Sequence, residues 1–229
     1  MIDCVSSLTN HHFLGNPLRG QHELRYKEVI TKERWDDLYV MDGMEFDEFD
    51  NIATEYYVSR NECGDVLGIT RSYPTTIPYM LQKSFQFLFD NPLVTSPDVL
   101  EASRLVLDRD KMDKQQRVSV VNELMVAYME RGLQRGLKGY VGFMLPKIWE
   151  NTFLRVGWDV EWLGPEVRLP KTNYFVRAGF MPATEALNDK VRDRTKIYSD
   201  ILNFGYGDPL YVPEAATYSN VNYEERLAA

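Results

Sequence analysis

Only two cysteines, Cys4 and Cys63, occur among 229 residues, and the three histidines, His11, His12 and His22, all lie near the N-terminus. Two thiols so far apart exclude a disulfide framework or a cysteine-based zinc site, and they fit a reducing compartment. The histidines show no HExxH spacing, so a metal centre and a Ser–His–Asp triad both lack support. GxxxxGK[ST] and GxGxxG stretches are missing, which removes the phosphate-cradling nucleotide folds. No apolar run approaches the roughly 20 residues that a membrane-spanning helix needs. Met1–Asn10 carries no lysine or arginine, and its apolar stretch is too short for a signal peptide. Repeats, low-complexity tracts and Ser/Gly linkers are absent. Basic charge is in deficit too: 26 Lys and Arg against 34 Asp and Glu give −8, which disfavours coating nucleic acid. With 44% apolar residues, the chain reads as one soluble, acidic, cytoplasmic α/β domain able to bury a continuous core.

Met1–Leu8 alternates weakly, as an edge strand would. Leu24–Trp35 carries a loose apolar stripe that predicts a helix. Asp36–Asp50 holds seven acids and no base, the usual composition of a solvated loop. Thr54–Arg60 and Val66–Ser72 flank a turn and predict a hairpin. Prolines 74, 78, 92 and 97 leave room for only a short helix near Met80–Phe89. Val99–Leu107 predicts a strand with Leu100, Ala102, Arg104 and Val106 on one face and Glu101, Ser103 and Leu105 on the other. Lys114–Arg135 is the longest helical pattern, with Val118, Val121, Leu124, Met125, Tyr128 and Met129 in step and Gly136 as its stop. Lys138–Leu145 predicts a buried strand, and Pro146 opens a helix that ends near Gly157. Trp158–Leu163 and Asn173–Ala178 predict further strands, and Thr184–Lys190 a short helix. This order describes a layered mixed-sheet α/β domain over residues 1–198, with residues 199–229 as a tail of no assigned structure.

Charged residues interrupt the strands where a core should be apolar. Glu101 and Arg104 lie inside Val99–Leu107, Arg71 lies in the strand before the proline-rich loop, and Arg25 lies on a helix. Any one could be a buried ion pair fixing register. Together, beside the acidic run, they describe a cleft with both signs opposed, suited to a zwitterionic ligand such as an amino acid.

Several segments appear in a recognisable order: Arg25 and Trp35, Glu45-Phe46-Asp47-Glu48-Phe49-Asp50, and Gly68-Ile69-Thr70-Arg71. Thr75-Thr76-Ile77-Pro78-Tyr79-Met80-Leu81, Phe85 and Glu101-Ala102-Ser103-Arg104 follow. They resemble the acyl-homoserine-lactone synthases, the LuxI-type autoinducer synthases of bacterial quorum sensing, from Arg25 to about Leu187. Two positions depart from the family pattern: Val29 and Thr70 stand where aromatic residues are usual. The resemblance implies a fold similar to the GNAT N-acetyltransferases, an α-β-α sandwich with a V-shaped cleft in the sheet. It implies S-adenosylmethionine as a consumed substrate, no cofactor or metal, an acyl donor on acyl carrier protein, and no nucleic-acid or membrane partner. Acyl-CoA as donor, and a related acyltransferase acting on another amine, are the alternatives.

On that resemblance, Glu101 is the candidate base, Arg104 the fixed positive charge, and Ser103 a partner for the acyl donor or carbonyl. Arg25, Glu45, Asp47, Asp50 and Arg71 form the implied electrostatic clamp, and Trp35 is either a cation–π platform for the sulfonium or plain core. The acyl chain is expected among Met80, Phe85, Leu124, Met125, Tyr128, Phe143, Met144, Trp149 and Phe153, a set that is also the domain's core. Lys147, Asn151 and Arg155, spaced to share a helix face, form a candidate docking stripe for an acidic carrier, and a solvated face is the bland alternative. Asp108–Asp113 has no glycine and three acids, unlike a loop that grips the pyrophosphate of coenzyme A. Gly142–Pro146 contains no hydroxyl residue, which predicts an unsubstituted acyl chain of loosely defined length.

Overall fold

The computed structural model describes residues 1–35, 38–89, 95–170 and 173–206. Asp36 and Asp37 of the acidic run, Pro92, and residues 207–229 of the tail lie outside the described residues. The main sheet runs β11-β1-β4-β5-β6-β7-β10-β8, with β9 also pairing β10. These strands are β1 (Ile2–Val5), β4 (Glu55–Arg60), β5 (Val66–Pro74), β6 (Val99–Leu107), β7 (Gly139–Met144), β8 (Glu161–Trp162), β9 (Val167–Arg168), β10 (Phe175–Pro182) and β11 (Leu202–Asn203). A separate hairpin pairs β2 (Tyr39–Met41) with β3 (Met44–Phe46). The helices are α1 (Pro17–Arg25), α2 (Met80–Ser84), α3 (Lys114–Gln134), α4 (Pro146–Trp149) and α5 (Glu185–Thr195).

Period-two alternation divides the core between the two faces of the sheet. On β4, Tyr57 joins α3, Trp149, Phe153, Trp158 and Val191 on one side, while Tyr56 and Val58 join Leu24 of α1 on the other. Farther along that second face a third cluster gathers Phe49, Tyr73, Tyr79, Leu81, Val99 and Val141. Helices therefore cover both faces, and the expected α-β-α layering is present. α3 starts at a capping box between Asp113 and Gln116 and stops where Gly136 takes a φ of +62°.

Two local features shape the sheet's centre. β6 and β7 pair in parallel only at Val99↔Gly139, Leu100↔Tyr140 and Glu101↔Val141. Beyond that rung β6 continues on β5 and β7 on β10, so the two strands part and leave a V-shaped opening. Gly142 sits at the fork, where a Cβ would lie 3.0 Å from the Ala102 carbonyl oxygen. The second feature is a bulge in β6. The register passes from Ile69↔Val106 to Arg71↔Ser103, so Arg104 and Leu105 together oppose Thr70. Arg104 takes a φ of +55°, a left-handed conformation unusual for a side chain of that size.

Several expectations are corrected. The bulge reverses the faces of β6 after Ser103: Leu100 and Ala102 face α3, but so do Leu105 and Leu107, while Val106 turns to α1. The acidic stretch is no solvated loop: β2 and β3 occupy it, and Glu45 is buried. The first helix begins at Pro17, before Leu24, and passes into a wider π-helical turn over Tyr26–Lys32. Val118 is exposed, outside the buried stripe of α3, because the helix rests on the sheet through Val120, Val121, Leu124 and Tyr128. The strand expected over Trp158–Leu163 shrinks to β8, since Trp158 enters the core ahead of it. α5 runs to Thr195, and β11 adds in parallel outside β1, so β1 is not the edge.

Candidate active site

Three arginines and three carboxylates from five places in the chain meet on the α1 face beside the bulge. Arg25, at the end of α1, contacts Glu45 through Nε and grips both oxygens of Asp50 at 2.8 Å. Arg71, on β5, takes both oxygens of Asp47 at 2.7 and 2.6 Å and reaches Asp50 Oδ1 at 2.6 Å. Arg104 donates to Glu45 Oε1 at 3.0 Å and lies 2.7 Å from Asp47 Oδ2. Arg25 and Arg71 are completely buried, whereas the Arg104 side chain keeps 10% exposure. Forked guanidinium–carboxylate pairs fix orientation as well as charge. Burial pushes the Asp47 and Asp50 carboxyls up, but Arg71 with Arg104 or Arg25 outweighs it and holds both below the ordinary aspartate range.

The bulge explains why Arg104 belongs here. A regular strand would point it at α3, opposite Glu101. The left-handed residue instead turns it to the clamp, at a backbone cost of roughly 1–2 kcal/mol. Its Nε is buried with no hydrogen-bond partner among the described residues. An unused cationic donor in a ring of satisfied ones is where an incoming carboxylate gains most.

Glu101 occupies the last β6–β7 rung, at the apex of the V. Among the described residues it pairs with no arginine. Its carboxylate accepts from the Tyr73 hydroxyl at 2.5 Å and from the backbone N–H groups of Met80 and Leu81 at 2.7 and 3.0 Å. Burial raises its pKa to about 7, against the pull of those donors and of Arg71. A carboxylate poised near neutrality suits proton transfer.

The remaining candidates divide. The Ser103 hydroxyl accepts from Arg71 Nε at 2.9 Å, so it braces the clamp rather than standing apart for an acyl group. Trp35 is 45% exposed, which removes the plain-core reading. The acyl set separates into two groups. Met80, Phe85 and Phe143 pack in the cluster around Tyr73 and Val141, with the Phe85 and Phe143 rings 4.2 Å apart. Leu124, Met125, Tyr128, Met144, Trp149 and Phe153 lie in the α3 core, with Trp149 and Phe153 fully packed. On the supposed docking stripe Lys147 and Asn151 are exposed, but Arg155 is half-buried and its Nε bonds the Asn151 carbonyl. The helix widens over Glu150–Leu154, so the i, i+4, i+8 spacing does not make one α-helical face.

Sequence reasoning missed Tyr56 and Tyr73, and it gave Tyr128 to the acyl set rather than to the polar network. Tyr56 donates to Asp50 at 2.7 Å, Tyr73 holds Glu101, and Tyr128 donates to the Arg71 carbonyl at 2.6 Å. Tyr128 also meets the Thr70 hydroxyl at 2.7 Å, and Thr70 bonds the Ser103 carbonyl, tying β5, β6 and α3 together at the bulge. Strand alternation offered one clue, since Tyr73 stands two residues from Arg71 on the same face.

Comparisons with known proteins identify the family of this chain. The autoinducer synthase family matches residues 13–191. An isovaleryl-homoserine lactone synthase of Bradyrhizobium diazoefficiens is 30% identical over 165 residues, 72% of each chain. An acyl-homoserine-lactone synthase of Aliivibrio fischeri is 31% identical over 134 residues, 56% of this chain and 69% of its own. Among solved structures, the CoA-dependent synthase BjaI with S-adenosylmethionine and isopentyl-CoA superposes with a TM-score of 0.78 at 27% identity, covering 89% of this chain and 92% of that one. The synthase LasI gives 0.63 at 25% identity, over 78% and 86%. Among the described residues no helix is long and apolar enough to cross a membrane. The chain belongs to the autoinducer synthase family, and its activity is that of an acyl-homoserine-lactone synthase, an acyltransferase.

Proposed function

We propose that the protein transfers an unsubstituted acyl chain from a thioester to the amine of S-adenosylmethionine and then closes the lactone. The observation that supports this most is Glu101 at the fork of β6 and β7, with the Arg25–Arg71–Arg104 clamp on the same face. Glu101 takes a proton from the substrate ammonium, directly or through one water, and the freed amine attacks the thioester carbonyl held in the V. The amide N–C bond forms, the C–S bond breaks, and the thiol leaves with a proton. The substrate carboxylate, steered by Arg104, then displaces the sulfonium at the γ-carbon, which closes the ring and releases methylthioadenosine. Both steps act on one bound ligand, so a single clamp sets both geometries. S-Adenosylmethionine is consumed, and the chemistry calls for no resident cofactor.

For the donor, the likeness to CoA-dependent BjaI over most of the chain favours acyl-CoA. Acyl carrier protein is the second reading, supported by the start of α3. There Asp113 caps the Gln116 N–H, and Asp108 accepts from the N–H groups of Asp110 and Lys111. Carboxylates of the chain itself thus occupy the place where a pyrophosphate would bind. Purified protein given S-adenosylmethionine and each donor in turn should yield acyl-homoserine lactone and methylthioadenosine in equal amounts. An acylated amine with no methylthioadenosine would instead mark an acyltransferase of another kind.

A further inference from the structure

Glu101 is held by more than its buried position. Tyr73 and the Met80 N–H converge on Oε2, at 2.5 and 2.7 Å, while Oε1 receives one donor, the Leu81 N–H at 3.0 Å. The Tyr73 ring is itself clamped. It lies nearly parallel to Phe49, with centroids 5.5 Å apart and planes 8° apart, and the Arg71 guanidinium stands 5.3 Å from its centre. Tyr73 thus links clamp and base through one rigid side chain. Resting on the acyl-transfer reading above, we infer that Tyr73 is the positioning residue for Glu101, pinning Oε2 so that Oε1 keeps the lone pair that receives the amine proton.

The groups that face Glu101 are few. Arg71 and Tyr73 come from β5 and Tyr79 from the start of α2, β7 offers the apolar Val141, and Asp47 acts on Tyr73 from the clamp side, while Tyr128 of α3 feels the Glu101 charge from the other face of the sheet. Burial and the Glu101 carboxylate keep the Tyr73 phenol protonated, so it is a donor throughout the working range. Among the groups that favour ionised Glu101, the Tyr73 hydroxyl is the strongest.

Tyr73→Phe keeps the ring, its stacking on Phe49 and its contact with Arg71, and removes only the hydroxyl. Losing a hydrogen bond to a charged group should move the acid limb of kcat/KM upward by about one to two pH units. Activity then falls roughly tenfold or more below pH 7 and approaches the parent enzyme near pH 9. Carbon NMR of the Glu101 carboxyl, assigned with Glu101→Gln, should show the same upward move in protein without substrates. A fluorinated tyrosine at position 73, a stronger donor, should move both downward, which also covers the case where Tyr73→Phe folds poorly. An unmoved Glu101 titration, or a loss of rate equal at every pH, would overturn the inference. Failure of the parent enzyme to make lactone would sink the functional reading while leaving the carbon titration intact.

Discussion

Two buried ion clusters lie on opposite faces of the same sheet. The clamp sets Arg25, Arg71 and Arg104 against Glu45, Asp47 and Asp50 on the α1 face. On the α3 face Glu55, at the start of β4, accepts from Arg131 at 2.5 and 3.1 Å and from Arg135 at 2.7 Å, with the Cys4 thiol 3.9 Å away. Burial pushes Glu55 up, and the two arginines outweigh it, just as happens to Asp47. By burial and pKa direction alone the two clusters look alike. They differ in what is left over. Glu55 spends both oxygens on its partners, and Arg131 further packs its guanidinium 5.1 Å from the Phe204 ring, fastening the segment after β11. The clamp keeps an unpartnered Arg104 Nε, a strained backbone at the same residue and a near-neutral glutamate beside it. On that difference the Glu55 cluster reads as structural and the clamp as the proposed ligand site, since an unpartnered buried donor is costly unless something comes to meet it.

The largest expected effects separate the two. Glu101→Gln should lower turnover by roughly 10²-fold or more while the protein stays folded, as for loss of a positioned group in the transition state. Arg104→Gly should do the same, and glycine removes the left-handed strain along with the guanidinium, so melting temperature should barely fall. If either variant keeps near-normal turnover, the assignment of base and clamp is wrong. Glu55→Ala should show the reverse pattern. Stranding Arg131 and Arg135 should cost about 3–5 kcal/mol, a drop of roughly 10 °C in Tm at this size, with turnover per folded molecule unchanged. Calorimetry paired with product assay reads both quantities, and parallel losses in all three variants would erase the distinction.

The pH dependence of stability sharpens it further. Glu101 has its pKa raised in the folded state from an ordinary 4.5 to about 7. The stability it adds is therefore fully present below pH 4.5 and is lost as pH rises through 7, a swing of about 3 kcal/mol. Asp47, Asp50 and Glu55 are depressed, so their contribution is present above the ordinary carboxylate range and is lost as pH falls through their folded values. Stability should peak in weak acid, and Glu101→Gln should flatten the slope between pH 5 and 7 without touching the acid limb. Denaturant titrations across pH would show an unchanged slope if Glu101 were not buried as described.

Much of the site was legible because charge inside strands is costly and therefore conspicuous: Arg71, Glu101 and Arg104 stand out on composition and period alone. The acidic stretch misled for the opposite reason. Its partners Arg71 and Arg104 lie 24 and 59 residues away from Asp47 and Glu45, so a local reading sees only unpaired acids. The bulge was invisible because its left-handed residue is an arginine, where glycine or asparagine would have signalled the turn. Fold order was read well from periodicity, yet β11 was missed because two residues carry no period at all. The acyl set falls into two clusters on opposite faces of the sheet, a division that apolar spacing alone could not reveal.

The proposed acyl pocket offers a smaller effect on the same theme of open and closed valences. Phe143 and Leu145 line the strand end beside Phe85, with no hydroxyl among the three, and Met144 between them turns to the α3 core. A 3-oxo group placed there would lose its water without gaining a donor, at about 1–3 kcal/mol. Matched unsubstituted and 3-oxo donors in competition should differ by roughly tenfold to a hundredfold in kcat/KM, favouring the unsubstituted chain. A clear preference for the 3-oxo donor would show that some donor group reaches the chain's third carbon after all.

The smallest effect is expected where charge is fully solvated. Lys147 is exposed in the first turn of α4, two residues beyond Leu145 of the second-face cluster, whereas Arg155 is half-buried and tied to its own helix. A lone rim charge acts through long-range attraction and is worth at most about 1 kcal/mol. Lys147→Glu should therefore raise the KM for an anionic donor by about two- to fivefold at low salt, and the effect should fade as the Debye length shrinks below 10 Å. The KM for S-adenosylmethionine should not change, because the clamp proposed to hold it is buried on the α1 face. An uncharged acyl-pantetheine gives the control: it carries the same thioester without phosphates or an acidic carrier, so it should not sense the reversal. Comparing acyl-CoA with acyl carrier protein on this one variant then shows which donor passes over α4. An equal loss with acyl-pantetheine would mean that Lys147 supports the helix and not the donor, placing it with Glu55 among the charges that serve the fold.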